Sequence, residues 1–109
     1  CSSVTRANGF VFVAATPPVD MVTGKIVKGD IETQTEASLN AVKLCLAAAG
    51  CSFEDVVTLR IYAANVGHYD AINRVYKRHF PDNFPSRSFV PVSGWFMEFD
   101  IEIECMAVG

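Results

Sequence analysis

The stretch Phe99-Asp100-Ile101-Glu102-Ile103-Glu104-Cys105-Met106 alternates charged and apolar residues from Asp100 to Cys105. A period of two belongs to an extended strand, so Glu102 and Glu104 share one face and their apolar neighbours the other. A second extended stretch, Pro85-Ser86-Arg87-Ser88-Phe89-Val90-Pro91-Val92, carries Arg87 near its start. Both segments place formal charge where a sheet core has none. A guanidinium and a carboxylate on neighbouring strands can bind a small anion and activate water beside it, or they can form an ordinary surface ion pair. On residue chemistry alone a structural Arg87 outweighs a substrate clamp, and Glu102 and Glu104 read as solvated strand residues.

The rest of the chain supplies the frame for these strands. Val4–Ala7 and Phe10–Ala15 flank Asn8-Gly9, a two-residue hairpin signal because both central positions favour positive φ. Thr16-Pro17-Pro18 ends the second strand, since proline cannot donate to a ladder. Asp30 caps a helix running to about Ala49, with Ile31, Thr35, Ser38, Leu39, Val42, Leu46 and Ala49 on one stripe and Gly50 at its left-handed end. Val56–Ala64 is a strand with Val57, Leu59, Ile61 and Ala63 on its apolar face and Val56, Thr58, Arg60 and Tyr62 opposite. A second helix spans about His68 to His79, with Tyr69, Ile72, Tyr76 and Phe80 as its apolar stripe and Arg74, Lys77 and Arg78 near its C-terminus, where the dipole favours cations.

The order β-β-α-β-α-β-β defines an α+β domain. Two amphipathic helices cover only one face of such a sheet. The other face carries Thr58, Arg60, Tyr62, Glu102 and Glu104, a mixture too polar for a core and too aromatic for plain solvent. A homo-oligomer that buries it is the economical explanation, although antiparallel sheets also expose one face to water.

Composition narrows the function classes. The 109 residues suffice for one domain, spanning 1–109; half are apolar and the net charge is −3. That charge disfavours a sequence-independent nucleic-acid binder, which needs a basic stripe. No apolar run approaches the ~20 residues of a membrane span. Cys1, Cys45, Cys51 and Cys105 form no Cys-x-x-Cys pair, so neither a zinc site nor a disulfide framework is expected, and reduced thiols in a cytoplasmic protein fit best. The chain begins at Cys1, so a targeting signal is not seen, and none is excluded. His68 and His79 read as solvated helix residues, and Cys45 and Cys51 as small buried hydrophobes. No phosphate loop, nucleophile elbow or dinucleotide fingerprint occurs.

Taken together and in order, Asn8-Gly9 with its apolar strand, Pro18-Val19-Asp20, Thr23-Gly24, the helix ending Ala-Ala-Gly, Asn73-Arg74-Val75-Tyr76, Pro85-Ser86-Arg87-Ser88 and Ile101–Val108 resemble the RidA (YjgF) family over essentially the whole chain. The Pro-x-Arg-Ser and Ile-Glu-Ile-Glu segments are the most specific. The resemblance implies a chorismate-mutase-like fold of the bacillary type and a homotrimer with sheets inward, helices outward and sites in the clefts between subunits. It implies hydrolysis of reactive enamines and 2-imino acids to 2-keto acids and ammonia, with no metal or organic cofactor and no nucleic-acid or membrane partner. Arg87 matches the arginine that holds the substrate carboxylate, and Glu104 the glutamate that positions or activates water. Ala15, Phe89, Asn73 and Trp95 are expected to line the substrate site.

The chain departs from the family pattern at three places. Ala14-Ala15 stand where active members often have a serine and glycine, and Phe89 where many have a cysteine. Cys1 falls about where the family has a tyrosine. An apolar pocket with Phe89 and Trp95 suits a larger or unsaturated imino acid. The alternative reading is a non-catalytic trimer that binds small carboxylates as a sensor or chaperone-like protein; a ribonuclease fits poorly with the acidic charge.

Overall fold

The computed structural model describes residues 4–82 and 84–109; Cys1 lies outside them. Five strands, β1 (Val4–Ala7), β2 (Phe10–Thr16), β3 (Val56–Ala63), β4 (Ser86–Pro91) and β5 (Ile101–Val108), form one sheet in the order β1-β2-β5-β3-β4. Two helices, α1 (Ile31–Ala48) and α2 (Tyr69–His79), pack on one side of it. All neighbours are antiparallel except β3 and β4, which run parallel. Their connection contains α2, as a parallel pair requires a crossover rather than a tight turn.

Local signals account for the element ends. Asn8 and Gly9 adopt φ of 51° and 79° and turn the β1–β2 hairpin. The Asp30 carboxylate accepts from the Thr33 backbone N–H at 2.8 Å and caps α1. Gly50, at φ 77°, ends that helix in the left-handed region. The α1 side chains Leu39, Val42, Cys45 and Leu46 pack with Ile72, Val75, Tyr76 and Phe80 from α2 and its end against Val11, Val13, Leu59, Ile61, Ile103 and Ala107 of the sheet. Burying such side chains contributes roughly 1.5–3 kcal/mol each, before the entropy of ordering them.

Among the described residues no helix lies over the opposite sheet face. Phe10, Phe12 and Val57 are exposed there, with Arg60 beside them and Thr58, Tyr62, Glu102, Glu104 and Met106 partly buried. The expected apolar face of β3 is corrected at its first two residues: Val56 is 7% exposed and Val57 41%. The register with β5 shifts between Val56 and Thr58, and this bulge moves Val57 outward. Tyr69, expected on the buried stripe of α2, is exposed, and Val75 is buried in the core.

A second bulge interrupts β2. Val13 pairs with Cys105 and Thr16 with Ile103, three steps against two, which leaves Ala14-Ala15 as the irregular segment. Helix α1 holds this bulge in place: the fully buried Ser38 hydroxyl donates to the Thr16 carbonyl at 2.7 Å, and the Thr16 hydroxyl donates to the Ala14 carbonyl at 2.7 Å. Ser38→Ala removes the donor and leaves a buried carbonyl unsatisfied. It is expected to lower folding stability by about 1–3 kcal/mol, read from the urea midpoint; an unchanged midpoint would contradict this account of the bulge.

Candidate functional site

Arg87 projects from β4 toward α2. One of its amino groups, Nη1, donates to the Asn73 side-chain carbonyl, and Nη2 donates to the Tyr69 hydroxyl at 3.3 Å. The guanidinium lies 4.7 Å from the centroid of the Tyr76 ring, within range of a cation–π contact. All these partners are neutral. Among the described residues no carboxylate pairs with Arg87, so its charge is fixed in direction but unmatched. A cavity of about 330 Å³ opens beside it, lined among others by Tyr69, Asn73, Tyr76, Lys77 and Phe84. The Tyr76 hydroxyl is buried without a hydrogen-bond partner among the described residues. Burial pushes its pKa up, and the nearby Arg87 charge opposes that only in part. Phe89, two residues along β4, meets Tyr69 edge-on at 5.0 Å and makes an aromatic wall next to the guanidinium.

Glu104 sits on the open face. Its Oε1 accepts from Arg60 Nη1 at 2.8 Å and from the Tyr62 hydroxyl at 2.6 Å. Oε2 has no hydrogen bond among the described residues. A cavity of about 360 Å³ lies here, bordered by Glu104, Arg60, Thr58, Phe12, Ala14 and Met106. Ala14 lines it, whereas Ala15, one step along the bulge, does not. Hydrogen bonding to Tyr62, and then to Glu104, raises the pKa of Arg60 above its usual value, so it stays charged.

Glu102 shares this face but is held separately. Its Oε1 accepts from Trp95 Nε1 at 3.0 Å, and the indole packs on Phe99 at 4.9 Å. Trp95 therefore belongs with the glutamate face and not with Phe89. A clip from α1 sets the start of β5: the buried Gln34 amide donates to Asp100 Oδ2 at 3.0 Å and accepts from the Asp100 N–H at 2.9 Å.

The two proposed site residues do not lie on neighbouring strands, because β3 runs between β4 and β5. Nor do they share a face. Arg87 is in register with the core residue Leu59, and Glu104 with the next residue, Arg60. Consecutive residues of one strand point to opposite sides. Arg87 and Asn73 thus line one cavity and Glu104 and Ala14 another, on opposite sides of the sheet, while Phe89 and Trp95 line neither. The histidine expectation is corrected as well. His79 is only 13% exposed in its side chain and bonds both oxygens of Glu36 at 3.0 Å, while His68 Nδ1 is buried without a partner among the described residues. Cys45, Cys51 and Cys105 are buried and form no disulfide among the described residues, and burial pushes the Cys105 thiol up to about 12. Such a thiol is inert at neutral pH. Among the described residues no group of three or more His, Cys, Asp or Glu is placed to hold a metal ion, and no helix is long and apolar enough to cross a membrane.

These features have close counterparts. The family described as endoribonuclease L-PSP matches residues 1–109. A RutC family protein of Pyrococcus horikoshii is 39% identical over 106 residues, covering 97% of this chain and 84% of that protein. The human 2-iminobutanoate/2-iminopropanoate deaminase is 29% identical over 107 residues, covering 98% and 78%. The crystal structure of E. coli TdcF with bound serine matches with a TM-score of 0.91 at 31% identity, over 98% of this chain and 86% of that one. The chain belongs to the RidA (YjgF) family, and its α+β fold is that family's fold. The family includes proteins named as deaminases.

Burial raises the Glu102 pKa, with the Trp95 bond acting against it and the Glu104 charge adding to it. The folded state therefore holds this proton more tightly than the unfolded chain. Its stabilising contribution is complete below the ordinary carboxylate range and is lost as pH rises through the raised value. Glu102→Gln keeps the acceptor for Trp95. It is expected to be more stable than the parent at pH 7 and equal to it near pH 3, as measured by thermal unfolding; a variant less stable at pH 7 would overturn the sign.

Proposed function

We propose that the protein is a homotrimeric hydrolase that converts reactive 2-imino acids and enamines to 2-keto acids and ammonia, in clefts where Arg87 of one subunit meets Glu104 of the next. The observation that carries this reading is the placement of Arg87 and Glu104 on opposite faces of one sheet, each at an open cavity. A substrate of a few carbons cannot touch both within one chain. A second copy whose Arg87 edge meets the open face brings them together and also covers Phe10, Phe12 and Val57. The named deaminases and the serine-bound relative support a small amino-acid-like substrate.

In this reading the substrate carboxylate docks on the unmatched guanidinium, whose fork suits a bidentate pair. That fixes the C=N carbon beside Glu104 of the partner subunit. Glu104 takes a proton from water as the new C–O bond forms and returns it to nitrogen, giving a carbinolamine. It then carries the hydroxyl proton to the nitrogen as the C–N bond breaks, so ammonia leaves and the keto acid remains. Proton transfer by one positioned carboxylate contributes roughly 10²–10⁴-fold, and the docked carboxylate supplies orientation. The Tyr69–Phe89 wall next to Arg87 favours a substrate with a larger or unsaturated side chain. Three buried unpaired thiols fit a reducing, cytoplasmic compartment.

An imino acid generated in situ by an amino-acid oxidase provides the assay. The parent protein should accelerate keto-acid release, Arg87→Ala should abolish the acceleration, and Glu104→Gln should reduce kcat by about 10²-fold or more. Full activity in either variant would sink the assignment. Calorimetric binding of a 2-keto acid that depends on Arg87, with no turnover of any imine, would identify a carboxylate-binding protein instead.

A further inference from the structure

We propose that Arg60 and Tyr62 are positioning residues that leave Glu104 one working oxygen, an inference that rests on the function proposed above. A glutamate on an open sheet face has a carboxylate that rotates almost freely, because the terminal torsion has a broad, two-fold profile. Its two oxygens are then equivalent, and neither is fixed toward a reactant. Glu104 differs from that state. Arg60 stands directly opposite it across the β3–β5 ladder and Tyr62 two residues further along the same face. Both donate to Oε1, at 2.8 and 2.6 Å. The bonds are charge-assisted, roughly twice as strong as neutral ones, and they converge on one atom.

The consequence is chemical. Oε1 already accepts from two donors, while Oε2 keeps its lone pairs for the reacting water. The carboxylate is fixed before substrate arrives, so its reorientation adds nothing to the barrier. Arg60 could instead be a second anchor for the substrate carboxylate, since it borders the same cavity. Its charge, however, is already matched by Glu104, whereas that of Arg87 is unmatched among the described residues. The neighbouring Glu102 has a different donor, Trp95, so the clamp serves Glu104 alone.

Steady-state kinetics on the in situ imine separate the two roles. Tyr62→Phe removes a single oxygen, and Arg60→Gln removes the charge. Both are expected to lower kcat by about ten- to a hundredfold with KM unchanged, and Arg60→Lys is expected to recover most of the loss. In the Glu104→Gln background Tyr62→Phe should have no further effect, because it acts only through that carboxylate. A raised KM with parental kcat in Arg60→Gln would overturn the proposal and make Arg60 an anchor. Parental kcat in Tyr62→Phe, with Glu104→Gln inactive, would overturn the clamp while leaving the function standing. Parental activity in Glu104→Gln itself would remove the function on which the clamp depends.

Discussion

Alternation of side chains across β3 is the constraint on which this molecule depends. Leu59, Ile61 and Ala63 turn to the helices and complete the core, while Thr58, Arg60 and Tyr62 turn to the open face. The neighbouring strands take their sides from β3 through their registers. Arg87 follows Leu59 and leans on α2; Glu104 follows Arg60 and meets the open face. One residue of register therefore separates a cation that faces aromatic rings and an amide from a carboxylate that faces a cavity on the other side. A single-residue slip of β5 would turn Glu102 and Glu104 into the core, and one of β4 would turn Phe89 away from it, so the register is held by burial as well as by hydrogen bonds.

The charged groups on the two sides are prepared differently. Arg87 is aimed by Asn73 and Tyr69 and backed by Tyr76, with no carboxylate among the described residues to neutralise it. Glu104 is neutralised by Arg60 but keeps an oxygen free. An unmatched cation with fixed direction is suited to holding an anion, and a clamped carboxylate to handling a proton. The bulge at Ala14-Ala15, tied to α1 through Thr16 and Ser38, shapes the wall next to the carboxylate. These contacts involve α1, α2 and four of the five strands, which explains why so small a site draws on nearly the whole chain.

Much of this was legible in the residues. The Asn8-Gly9 hairpin, the Asp30 cap, the Gly50 stop, both helices and the polar face of β3 follow from local rules, and the structure agrees with them. The resemblance singled out Arg87 and Glu104, which the structure places at two separate cavities. What escaped was tertiary. Val56 and Val57 are the same residue type, so no periodicity marks the bulge that swaps them. The strands β4 and β5 follow one another in the chain, yet the helical crossover makes β4 parallel to β3 and sets β3 between them. His79 seemed solvated because its partner, Glu36, lies on the other helix. Arg60 and Tyr62 are visible as face residues, whereas their shared target on Glu104 depends on the β3–β5 register that only the folded sheet supplies.

Subunit complementation tests the central claim, that a working site takes Arg87 from one chain and Glu104 from another. Arg87→Ala and Glu104→Gln proteins, each with little or no activity alone, would be unfolded together in equal amounts, refolded and assayed on the in situ imine. Random assembly places an intact Arg87 against an intact Glu104 at about a quarter of the interfaces, so about a quarter of parental activity should return. A mixture as inactive as its components, with mixed oligomers demonstrated by mass spectrometry, would contradict the account.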